Sequence, residues 1–207
     1  MIKRTPQLAK LYKIIGDFAI VGGPAAGLQE EAGAGLPSIT SERFMNDTTK
    51  HWLVKTEPEA FSIGDLVRAK NKTTSWTGVR NYQARNYMRD EMQLGDPVLF
   101  YHSNAEPSAI VGLARVVKES QPDPTSWDEH DSHYDPKSTP LNPRWFMVDL
   151  QWEETFARPL TLAMLREIPA LAHMELLRKG SRLSVMPVSK GEFAAVLKFA
   201  AKLAGSK

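Results

Sequence analysis

The chain of 207 residues has room for one ordinary domain and an appendage, since single domains commonly span about 100 to 200 residues. With 42% hydrophobic and 24% charged residues it can build a core, and the lack of cysteine excludes disulfides and thiolate metal sites, so a reducing, cytoplasmic setting is the default expectation. The formal charge is +2; residues 1–50 hold six Lys or Arg and five Asp or Glu, and the remainder, twenty against nineteen, lacks the broad basic face that a sequence-blind grip on duplex phosphates needs.

In residues 1–50, Lys3, Arg4, Lys10 and Lys13 precede an apolar stretch from Ile14 to Leu28 that imitates a secretory signal weakly, but Asp17 and a Gly-Pro cluster interrupt it. No apolar run reaches the roughly 20 residues that span a bilayer. Leu8, Leu11 and Ile15 suggest a short amphipathic helix over residues 7–15, and VGGPAAG matches neither GxGxxG nor GxxxxGK[ST], which reads as a linker. Residues 1–50 are therefore expected to be a disordered leader or extension.

From His51 the pattern becomes regular. HWLVKT reads as a strand, and Ser62 with Asp65 forms a capping box that opens a short helix through Leu66 and Val67. Asn81 caps a helix to about Met92, with Ala84, Met88 and Met92 on its buried side. PVLFYHS (97–103) and AIVGLARVVKE (109–119) read as a hairpin at the centre of a sheet, joined by NAEPS. The proline-rich residues 120–144 form a long loop, and RWFMVDLQWEE (144–154) a third strand. Thr161 caps LAMLRE, Pro169 ends that helix, SRLSVMPV (181–188) is a last strand, and Ser189 with Glu192 opens a final helix with Phe193, Val196, Leu197 and Ala200 inward. Strands punctuated by short helices without regular βαβ alternation predict an α+β domain, a small, strongly curved antiparallel or mixed sheet with peripheral helices.

Chemistry concentrates in WTGVRNYQARNYMRD, where Trp, Arg, Asn and Tyr are side chains that stack on or hydrogen-bond to bases, and Gly78 lets the backbone approach a planar ligand. The same composition also suits core aromatics beside a polar helix face. In FYHSN, alternation sends Phe100, His102 and Asn104 one way and Tyr101 and Ser103 the other, which separates His102 from Ser103 and argues against a Ser-His couple. DEHDSHYD places His130 and His133 among four acids, but the spacing matches no zinc pattern, and no metal or cofactor is expected. HExxH, GxSxG and SxxK are absent, and no spacing brings two carboxylates together.

HWLVKTEP, WTGVRNYQARN, GDPVLFYHSN, VVKESQPDPT, HYDPKS, NPRWFMVDLQW and RLSVMPV resemble, in order and spacing, the motifs of the EVE domain family over residues 51–200, with the domain running to about residue 204. The resemblance implies a PUA-like fold, a strongly curved mixed β-barrel with peripheral helices, and a non-catalytic pocket for a modified base of DNA or RNA, single-stranded or flipped from a duplex. It implies a pocket built from Trp52, Lys55 and Glu57, from Trp76, Val79, Arg80, Asn81 and Tyr82, and from Tyr101, His102, Ser103, Trp145 and Ser184. Met186 stands where members of the family often have glutamine: lining the pocket it would favour a more apolar base modification, facing the core it is conservative packing. Lys70, Lys72, Arg85, Arg89, Arg178, Lys179 and Arg182 are the candidate phosphate rim. The alternatives are an enzyme acting on a base or nucleotide, and a protein-interaction module with a vestigial pocket. A monomer without membrane association is expected.

Overall fold

The computed structural model describes residues 49–205, so the expectations for the leader, its short helix and its glycine-rich stretch lie outside the described residues. Strand β1 (His51–Thr56) leads to helix α1 (Ile63–Arg68) and the short strand β2 (Thr73–Ser75). Helix α2 (Tyr82–Asn86) continues into a wider turn, Tyr87–Glu91, closed by the Met92 amide on the Tyr87 carbonyl. Strands β3 (Pro97–His102), β4 (Ala109–Pro122) and β5 (Phe146–Thr161) follow, then helix α3 (Leu162–Arg166), strand β6 (Val185–Val188) and helix α4 (Lys190–Gly205).

The local signals behave as their chemistry dictates. Ser62 and Asp65 exchange both bonds of a capping box, the Asn81 side chain accepts from the Ala84 amide at 3.0 Å, and Ser189 and Glu192 cap α4 reciprocally. Phe193, Val196, Leu197 and Ala200 face inward, as do Ala84, Met88 and Met92.

The six strands make one mixed sheet in the order β2-β5-β4-β3-β1-β6, in which only the β1–β3 pair is parallel. The order is open, with β2 and β6 at its two ends, so the expectation of a barrel is met only as a mixed sheet with helices. Strand β5 runs on to Thr161 because it pairs with β4 along its whole length; bulges absorb the mismatch, and Pro159 lies within one, where a missing N–H costs no ladder bond. At Gly112 a Cβ would collide with the Glu154 carbonyl oxygen and with the end of Ile63, so the close approach of β4 to β5 requires glycine there. Strand β6 is shorter than expected, because residues 181–184 leave the sheet edge except for the bond from the Lys55 amide to the Ser184 carbonyl.

One face of the sheet packs against Trp76 and Tyr87, while on the other α4 sets Phe193 4.6 Å from His51. Trp52, 1% exposed, donates its indole N–H to the buried Asp96 at 2.8 Å, which satisfies both polar groups inside the core. Among the described residues no helix is long and apolar enough to cross a membrane.

Candidate nucleic-acid site

Because β1 and β3 are parallel neighbours, their carboxyl ends meet. The Ser103 amide donates to the Thr56 carbonyl at 2.8 Å, and Asn104, at φ +51°, turns the chain so that its side-chain amide donates to Glu57. Lys55, Glu57, Tyr101, His102, Ser103 and Ser184 are thereby gathered at one end of the sheet. Alternation still divides them: Lys55 pairs with Tyr101 on the face of Leu53, Leu99 and Met186, whereas His102 shares the opposite face with Phe100 and, through it, Trp76. Burial lowers the Lys55 pKa. It raises that of Tyr101, against a hydrogen bond with Ser108 that opposes the shift.

His102 accepts the Ile63 amide on Nε2 at 3.1 Å, one of the orphan donors at the start of α1, so its neutral form carries the proton on Nδ1. Burial lowers its pKa, with Asp65 opposing in part. A histidine held neutral in the fold contributes stability that is complete above its unfolded pKa of about 6.5 and is lost as pH falls toward the lower folded value, because in that window only the unfolded chain binds the proton. Urea unfolding between pH 8 and pH 5 is expected to show this loss, and His102→Gln to flatten it; an equally steep profile in the variant would assign the pH dependence elsewhere.

A second cluster is built around Gly78–Tyr82. The buried Asp123 accepts from the Gly78 amide (2.9 Å) and from Arg80 Nη1 (2.8 Å) on one oxygen, and from the amide and hydroxyl of Thr125 on the other. Burial pushes its pKa up, but Arg80, Thr125 and the Gly78 amide together outweigh that and hold it below the usual carboxylate range. Arg80 also donates to the Thr125 hydroxyl and to the His133 carbonyl. The His133 ring lies against Gly78, at φ +76°, where an added Cβ would sit 2.9 Å from Nε2; the close approach that glycine permits is used by this imidazole.

The residues expected to line the pocket are spread over the core, the Asp123 cluster and the surface. Trp52 and Met186, each 1% exposed, and Trp76 and Val79, 8% and 4%, pack in the hydrophobic core, and for Met186 that burial favours the packing alternative. Arg80 is committed to the Asp123 clasp, and Asn81 caps α2. Tyr82 is half exposed on the surface, its ring 4.9 Å from that of Trp145. The rim divides as well. Arg85 and Arg89 lie beside Tyr82, Trp145 and Phe146, whereas Lys72 covers Trp152 at 4.2 Å, and Lys70 nearby is also exposed. Arg178 pairs with Glu175, and Lys179 and Arg182 are exposed around the Gly180 turn that leads to β6.

Asp123, Thr125 and Arg144 were not among the expected site residues, and Asn104 was read only for the strand face it takes. The Asp123-Pro124 step was the available signal, since Asp123 caps a short 3₁₀ turn begun by that proline. In DEHDSHYD, His133 bonds Asp131, and among the described residues no group of three or more His, Asp or Glu converges as a metal site.

The chain is similar to known proteins along most of its length. It is 39% identical over 192 residues to human thymocyte nuclear protein 1, covering 84% of each. A crystal structure from Pseudomonas syringae superposes with a TM-score of 0.69 at 41% identity, covering 72% of this chain and 99% of that one. Human THYN1 protein in complex with 5-methylcytosine containing DNA gives a TM-score of 0.70 at 41% identity, covering 73% and 98%. The model of the EVE domain matches residues 50–199, and the chain belongs to the EVE domain family.

Proposed function

We propose that this chain is a reader that binds a modified nucleobase, with methylated cytosine in DNA as the first candidate, and does not transform it. The observation that carries the reading is the human structure in complex with 5-methylcytosine containing DNA, 41% identical over 73% of this chain. The gathered strand ends support it: the Glu57 carboxylate, the Asn104 amide and the hydroxyls of Ser103 and Ser184 can read the polar edge of a base. His102 supports binding over catalysis, because its Nε2 lone pair is engaged by the Ile63 amide and is not free to take a proton. A near-neutral domain suits a single-base pocket better than a broad duplex grip.

Fluorescence anisotropy on single-stranded oligonucleotides that differ only in one methylated cytosine or adenine tests this. The modified strand is expected to bind more tightly, with both strands recovered chemically intact. Equal affinity for every strand sinks the reading, and a converted base would replace a reader with an enzyme.

A further inference from the structure

Tyr82 combines two properties that seldom occur together: it is 50% exposed, yet it is held firmly. Beneath it lies Trp145, 5% exposed, at 4.9 Å and 31° between planes, with its indole N–H anchored on Asp135 at 2.7 Å. The Tyr82 hydroxyl accepts from Arg144 at 2.8 Å. Such a ring offers its outer face to a ligand with little ordering left to pay for.

The surroundings say what kind of ligand. The Arg85 guanidinium sits 5.0 Å from the Tyr82 ring centre and 5.9 Å from that of Trp145, and it donates to the Arg144 carbonyl at 2.7 Å and the Asn86 side-chain oxygen at 2.8 Å, both neutral acceptors. Burial, and then the nearby Arg89, lower its pKa, so an anion placed there relieves the cluster. Arg89 lies over Phe146 and pairs with Asp90, while Arg144 pairs with Asp135, which leaves Arg85 as the guanidinium whose hydrogen bonds reach no carboxylate. An exposed aromatic ring flanked by arginines is a surface on which single-stranded nucleic acid can stack a base and rest a phosphate.

Resting on the base-reader reading above, we propose that the outer face of Tyr82 stacks another unpaired base of the strand whose modified base is read, while Arg85 and its neighbours hold the adjoining phosphate. The ligand is then a stretch of single-stranded DNA, not an isolated base.

The test compares the full chain binding a nine-nucleotide DNA strand with a central 5-methylcytosine and binding the free nucleoside, 5-methyl-2′-deoxycytidine. The strand is expected to bind more tightly, and Tyr82→Ala to lose about 5- to 150-fold of strand affinity, the loss of one stacked base. Tyr82→Phe, which keeps the ring, is expected to retain most of it. Equal affinity for strand and nucleoside, or full strand affinity in a folded Tyr82→Ala protein, overturns the platform. If Tyr82→Ala lowers the unfolding midpoint, Arg85→Gln carries the test: the slope of log affinity against log salt is expected to flatten by about 0.7, the value for one phosphate on a single strand, and an unchanged slope overturns the proposal. Failure of the base reading has a different signature, a parent protein that does not distinguish the methylated strand from its unmethylated twin.

Discussion

Replacing Asp123 by alanine is expected to lower the stability of the domain by about 3–5 kcal/mol, the cost of leaving the other half of a buried ion pair without its partner. The carboxylate is fully buried, and four donors converge on its two oxygens; without it Arg80 and the Gly78 amide lose their shared acceptor. Asparagine at this position is no rescue, because one carboxylate oxygen gives way to an amide nitrogen that points its hydrogens at existing donors, so Asp123→Asn is expected to approach the alanine value. The folded pKa lies below the unfolded one, so this contribution is present above about pH 4 and is lost as pH falls through the folded value. Urea unfolding of the parent and both variants at neutral pH measures the effect. A loss below about 1 kcal/mol in Asp123→Ala would mark the clasp as a surface pair.

Trp76→Ala is expected to cost about 3–5 kcal/mol, as truncation of a large core aromatic does. Trp76 is 8% exposed, edge-on to Phe100 at 5.5 Å and to Phe61 at 6.5 Å, with its amide bonded to the Val148 carbonyl. Trp76→Phe is expected to fold with a smaller loss and to keep whatever preference the parent shows for a methylated strand. Measuring unfolding and binding side by side separates a core role from a pocket wall. A wall residue would give the opposite outcome in Trp76→Ala, near-parental stability with the preference gone.

The contrast between Trp76 and Tyr82 shows where reading from residues stops. Both belong to one aromatic and basic segment, and composition gives each the same claim to a base. Burial separates them: Trp76 turns into the sheet face, and Tyr82 rides outward on the first turn of α2. The basic rim divides in the same way, because residues similar in chemistry are carried by different elements.

Elements whose signals are local are legible in the residues alone. The capping pairs Ser62 with Asp65 and Ser189 with Glu192, the Asn81 cap, the apolar strands β1, β3 and β4, and the inward face of α4 all depend on partners within a few residues or on a repeating period. Ordered motifs along residues 51–200 carried the family resemblance for the same reason, since they are read in one dimension. The remaining features come from contacts between distant segments. The parallel neighbourhood of β1 and β3, the three-residue strand β2 with its polar side chains, and the Arg80–Asp123 clasp across 43 residues of chain have no local signature. Which side chain becomes core and which stays on the surface is settled by register and by the loop that packs above, and those contacts form only when distant segments meet.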